Sequence, residues 1–185
     1  MDNKFNATKV VTGKVRFSYL HVFKPNSING GEPKYSVSLI IPKSDRDTIG
    51  KIENAIELAK EAGKAKWGGR IPSNIKMPLR DGDEERPDDD TYANSFFVNA
   101  NCTTKPGLVY KDGRTAIVDE TDLYSGCYGR ASITFYAFNA NGNRGIACGL
   151  NNLMKLEDGE SLGGRVSAEK DFEGYTEEAE DDFLN

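Results

Sequence analysis

The chain has 185 residues with a hydrophobic content of 37%, enough for one domain with a substantial core plus appendages. Mean hydropathy is −0.59 and no run of about 18 apolar residues occurs. A helical membrane span is therefore excluded, and some segments are expected to lie outside the core. The net charge of −5 is unevenly spread: residues 169–185 hold eight acids against one lysine, and residues 81–90 seven acids against one arginine, leaving +8 on the rest. A basic body with separable acidic segments suits a polyanionic partner.

The amino terminus, MDNKFNATKV, lacks an apolar signal region, so secretion is not expected. Three cysteines (Cys102, Cys127, Cys148) and a single histidine, His21, follow no metal-ligand spacing. They read as reduced thiols of a cytosolic protein, and neither a metal nor a cofactor is expected.

In chain order, residues 5–23 are rich in Val, Thr, Phe and Tyr and read as one long strand with a bulge near Ser18. Val11, Val15, Phe17 and Tyr19 would share one face, Lys14 and Arg16 the other. A loop over 25–33 carries Gly30-Gly31, and Tyr35 to Ile41 is a second strand ended by Pro42. Ser44, with Asp47 three residues on, opens a helix over about 45–62. Its buried stripe is Ile49, Ile52, Ile56 and Ala59, and Gly63 is its stop.

Residues 64–80 (KAKWGGRIPSNIKMPLR) have no clean period, but Lys64, Lys66 and Arg70 surround Trp67 beside Gly68-Gly69. That mixture suits a loop that tracks a backbone and stacks a base, although Trp67 could instead plug the core below the helix. DGDEERPDDD follows as a charged loop. Ser95 to Thr104 is a third strand; Leu108 to Tyr110 and Thr115 to Val118 form a short hairpin.

Tyr128 to Leu156 reads as two long strands joined at Asn141-Gly142, a pair suited to a tight hairpin turn. Ala131, Ile133, Phe135 and Ala137 form an apolar face. The other face carries Tyr128, Arg130, Tyr136 and Phe138, an aromatic and cationic surface of the kind that stacks bases. After Leu156 apolar content falls away, and 157–185 reads as a disordered acidic tail behind a domain of residues 1–156. About five strands, one inserted helix and no βαβ alternation fit a mainly β fold, a partly open five-stranded OB-type barrel.

The runs LYSGCYGRASITFYAFNANGNRGIACGLNNLMKL, NGGEPKYSVSLIIPKSD, KWGGR and PLRDGDEERPDDD carry a resemblance that spans about Asn6 to Phe172. The chain resembles a bacteriophage family of single-stranded-DNA-binding proteins with an OB fold, similar to the gene 2.5 protein of phage T7. The resemblance implies sequence-tolerant ssDNA binding in phage DNA replication, recombination or repair, in the host cytoplasm. It also implies an acidic tail that contacts replication proteins. It assigns no contact residue.

Those come from side-chain chemistry. Tyr128, Tyr136, Phe138 and Trp67 are the candidate base stackers. Lys14, Arg16, Lys64, Lys66, Arg70, Arg130, Lys105 and Lys111 are the candidate phosphate contacts. The tail would compete with DNA and reach partners through Phe172, Tyr175, Asp181, Asp182 and Phe183. A homodimer through an edge strand is compatible with such a domain.

Two other classes are open on the sequence alone. A metal-dependent nuclease would use Asp81, Asp83, Glu84 and Asp88 to Asp90, and would cut a labelled strand with Mg²⁺. A phage interaction module that does not bind DNA would give no gel shift.

Overall fold

Alternation along the strands becomes the inside and outside of a ring. The computed structural model describes residues 7–27, 30–162, 172, 174 and 175. Its strands are β1 (Lys9–Val11), β2 (Val15–Asn26), β3 (Lys34–Pro42), β4 (Leu79–Asp81), β5 (Ser95–Cys102), β6 (Gly107–Val109), β7 (Tyr128–Ala140) and β8 (Asn143–Glu157). The main helix is α1 (Arg46–Ala62), and α2 (Gly82–Glu85) is one short turn.

Hydrogen-bonded neighbours run β1-β7-β2-β3-β5-β8-β6, and β7 also pairs with β8. β2, β3, β5, β8 and β7 therefore close a five-strand ring in an OB-like order. The β7–β8 ladder is long, whereas β5 meets β8 through one parallel pair, Asn101↔Gly149. β4 fills the remaining edge of β5, with Leu79 opposite Val98. 

Phe17, Leu39, Ile41, Val98, Ile133, Phe135 and Leu153 fill the interior. α1 contributes Ile49, Ile52, Ile56 and Ala59 to the same core, which is the stripe expected from their spacing. Its carboxyl end abuts β7 so closely that a Cβ on Gly63 would lie 2.1 Å from the Ala137 side chain. The thiols of Cys127 and Cys148 are buried and shifted up by desolvation.

The expected first strand is two strands. Residues 12–14 interrupt it, and the Gly13 N–H donates to the Thr48 hydroxyl at 2.9 Å. Parity shifts across the break, so Val10 is buried and Val11 is exposed. A second shift falls between Ser18 and His21, where Tyr19 takes φ 47 and its ring turns out, not inward. The bulge near Ser18 was expected; its effect on Tyr19 was not.

The helix cap is Asp45, one residue past Ser44. Its carboxylate accepts from Thr48 N at 3.1 Å and from the Thr48 hydroxyl at 2.7 Å. Asp45→Ala should cost about 1 kcal/mol of stability, read as a lower midpoint in denaturant unfolding.

Candidate nucleic-acid interface

On the outer face of β2, β3 and β5 the residues that alternate with the core are small and polar. Ser38 faces Ser18 and Asn99, and Ser36 faces His21 and Asn101. Together with Tyr19 and Arg86, the residues named here other than Ser18 line an open recess of about 330 Å³. An adjoining recess of about 370 Å³ shares Tyr19 and His21 and adds Asp89, Thr91 and Leu162. Lys24, Lys34 and Lys105 stand exposed around this face, with no acidic partner among the described residues. The Lys105 ammonium lies 5.7 Å from the Phe23 ring.

One wall is built by the segment between β4 and β5. Tyr92 is fully buried against Ile40 and Phe97, with its ring edge-on to Phe97 at 5.1 Å. Its hydroxyl donates to the Ser38 hydroxyl at 3.1 Å. The Arg86 guanidinium stacks over Tyr92 at 4.8 Å, Phe97 at 5.1 Å and Tyr19 at 5.5 Å. Its Nε is buried and has no hydrogen-bond partner among the described residues. The result is a cationic and aromatic wall beside a floor of hydroxyls and amides. Stacking platforms with neighbouring cations hold single-stranded nucleic acid without reading its sequence.

Four acids of this segment, Asp81, Asp83, Glu85 and Asp89, have structural work. Lys43 bridges Asp81 at 2.9 Å and Asp83 at 2.7 Å, and Glu85 takes Arg80 at 2.6 Å. Asp81 and Asp89 also cap the short turns that follow them. Hydrogen bonding to Lys43 holds both the Asp81 and Asp83 carboxyls below the usual carboxylate value. Their contribution is thus complete above that value and lost as pH falls through the lowered one. Of the carboxylates in the nuclease reading, Asp81 and Asp83 are taken by Lys43 and Asp89 caps a turn, so these three are not gathered to hold a metal. Among the described residues no group of three or more His, Cys, Asp or Glu is so gathered.

The residues expected at the site are scattered. Lys14 pairs with Glu157, and Arg16 donates to the Gly126 and Glu160 carbonyls at 3.0 and 2.8 Å. Both cations lie over the Tyr128 ring, at 5.5 and 5.3 Å. Lys64 pairs with Glu61, and Lys66 donates to the Ala137 carbonyl. Arg70 and Lys111 are exposed. Arg130 donates to the Thr12 carbonyl, Tyr136 is exposed, and Phe138 is half-buried.

Trp67 is a correction. It is buried, and its indole N–H donates to the Phe138 carbonyl at 3.0 Å, so it plugs the core below α1 and offers no face to a base. Phe172 and Tyr175 are exposed, while Asp181, Asp182 and Phe183 lie outside the described residues.

Residues 8–184 match a family described as Enterobacter phage Enc34, ssDNA-binding protein. The chain belongs to this family. It is similar to the single-stranded DNA-binding protein from bacteriophage Enc34 in complex with ssDNA, with a TM-score of 0.76 and 27% identity over 85% of this chain and 90% of that one. Protein p50 of Acyrthosiphon pisum secondary endosymbiont phage 1 is 28% identical over 95% of this chain and 98% of its own length. The gp2.5 single-stranded DNA binding protein encoded by bacteriophage T7 shares the fold, with a TM-score of 0.61 at 16% identity over 92% of this chain and 95% of that one.

Sequence reasoning missed Tyr19, His21, Ser36, Ser38, Arg86, Asn99 and Asn101. The visible signal was the small polar residue at every second position of YSVS and VNAN, on strands that are otherwise apolar. Trp67, the one tryptophan of the chain, provides a direct check. Its emission should be blue-shifted, poorly quenched by iodide, and not quenched by stacking when oligo(dT) is added.

Proposed function

We propose that this chain binds single-stranded DNA, with little sequence preference, along the outer face of β2, β3 and β5. The observation that carries the reading is the Tyr19–Arg86 wall beside the Ser36, Ser38, Asn99 and Asn101 floor. Family membership, and the ssDNA complex of the similar Enc34 protein, support it. Bases lie against Tyr19 and the amide floor, and phosphates pass Lys24, Lys34 and Lys105. The setting is phage DNA replication, recombination or repair in the host cytoplasm.

The acidic segment acts on the same face. Leu162 lines the recess with Tyr19 and His21, and its N–H donates to the Ser125 carbonyl at 2.8 Å. Glu169 follows seven residues later, a reach of at most about 25 Å. Eight carboxylates tethered at the rim compete with a polyanion at high local concentration. Displaced by DNA, the segment contacts replication proteins, with Phe172, Tyr175, Asp181, Asp182 and Phe183 as the recognition groups.

Fluorescence titration with oligo(dT) tests both parts. Tyr19→Ala should weaken binding by about 5- to 150-fold, the loss of one stacked base at roughly 1–3 kcal/mol. Each of Lys24→Ala, Lys34→Ala and Lys105→Ala should reduce the steepness of log K against log salt by about 0.7. Affinity that ignores salt, or a Tyr19→Ala variant that binds like the parent, refutes the assignment. Removing residues 163–185 should tighten binding and abolish recovery of replication proteins on an affinity column; unchanged affinity refutes competition.

A further inference from the structure

Gly149 is a glycine without a conformational or packing reason. It lies within β8, where glycine destabilises a strand by its backbone freedom, and its φ is not in the left-handed region. Space is available as well. A Cβ built there would meet Thr134 O and the Tyr136 ring at 3.5 Å, ordinary van der Waals contact. By contrast, a Cβ on Gly129 of β7 would meet Met154 O at 2.1 Å. A glycine within a strand often marks a bulge, a bend at a barrel corner, or a place where a ligand or another backbone approaches closely.

Strand register shows what crosses that place. His21 is opposite Ser36, Ser36 opposite Asn101, Asn101 opposite Gly149, Gly149 opposite Thr134, and Thr134 opposite Lys9. One row therefore crosses β2, β3, β5, β8, β7 and β1 on the outer face. No large apolar side chain stands in it. The row begins in the recess beside Tyr19 and passes the bare backbone of Gly149. It then reaches Thr134, next to the exposed ring of Tyr136. Asn151 flanks it and donates to the Thr134 hydroxyl at 2.9 Å. From β3 to β7 is three strand spacings, about 14 Å.

We infer that single-stranded DNA leaves the recess along this row, crosses β8 over Gly149, and stacks a further base on Tyr136. The inference rests on the proposed ssDNA binding and adds a second contact region to it. Gly149 acts by leaving the row empty, and Tyr136 supplies the stacking surface at its far end.

The test is an oligo(dT) length series across about 4–16 nucleotides, the range of OB-fold site sizes, titrated into the full chain. Gly149→Gln fills the row, and Gly149→Ser serves as a small-residue control. Tyr136→Ala removes an exposed ring, so it reports even where Gly149→Gln does not fold; thermal melting identifies such a failure. The expected result is that Gly149→Gln and Tyr136→Ala weaken the longer oligonucleotides tenfold or more. The shortest should bind as in the parent, and Gly149→Ser should bind every length as the parent does.

Parent-like binding at every length by Tyr136→Ala and by folded Gly149→Gln overturns the inference. An equal loss at every length overturns it too, because the row then adds no separate contact region. Tyr19→Ala with the shortest oligonucleotides tests the recess itself, so the two readings fail separately.

Discussion

Arg86 lies within a segment of seven acids, yet its guanidinium rests on the rings of Tyr92, Phe97 and Tyr19. Desolvated contacts of this kind are worth about 2 kcal/mol or more, enough to offset part of the cost of the unpaired buried Nε. They also fix where the acidic segment lies. Tyr92 and Arg86 cover Ile40 and Phe97, which would otherwise leave an apolar patch on the outside of the ring. The same contact holds Tyr19 as the facing wall. The outer surface is therefore shaped by one cation that brings a loop down onto a sheet.

Lys43 and Arg80 complete that docking by pairing with Asp81, Asp83 and Glu85. The excess of cations on the body is consequently less available than a count suggests. Lys14, Lys51, Lys60, Lys64 and Lys155 are paired with carboxylates as well. Among the described residues Lys24, Lys34 and Lys105 are not. Net charge points to a polyanion partner, and the ion pairs show that a count of cations overstates how many remain open to one.

The inward positions of β7 and the buried stripe of α1 were legible because each segment keeps a single period from end to end. Ile133 and Phe135 are buried, as the alternation requires. Tyr19 was misread for the opposite reason, since one irregular residue reverses parity and sends an aromatic from the expected core to the surface. Trp67 and Tyr136 illustrate a second limit. Trp67 lies between cations in the sequence and Tyr136 alternates onto the face of Arg130, and only the tertiary contact of the indole with Phe138 O separates a core plug from a surface ring. Arg86 was hidden among carboxylates that suggested solvent or metal, when its partners were rings brought together by β2, β5 and the turn at Tyr92.

The single pair between β5 and β8 has a mechanical meaning. A ring laced by full ladders has a fixed girth, whereas one fastened at a single rung can change girth there without breaking the others. The rung is Asn101↔Gly149, on the row that runs outward from the recess. On the inferred path, a DNA strand lying across that rung would span the least fastened seam of the ring.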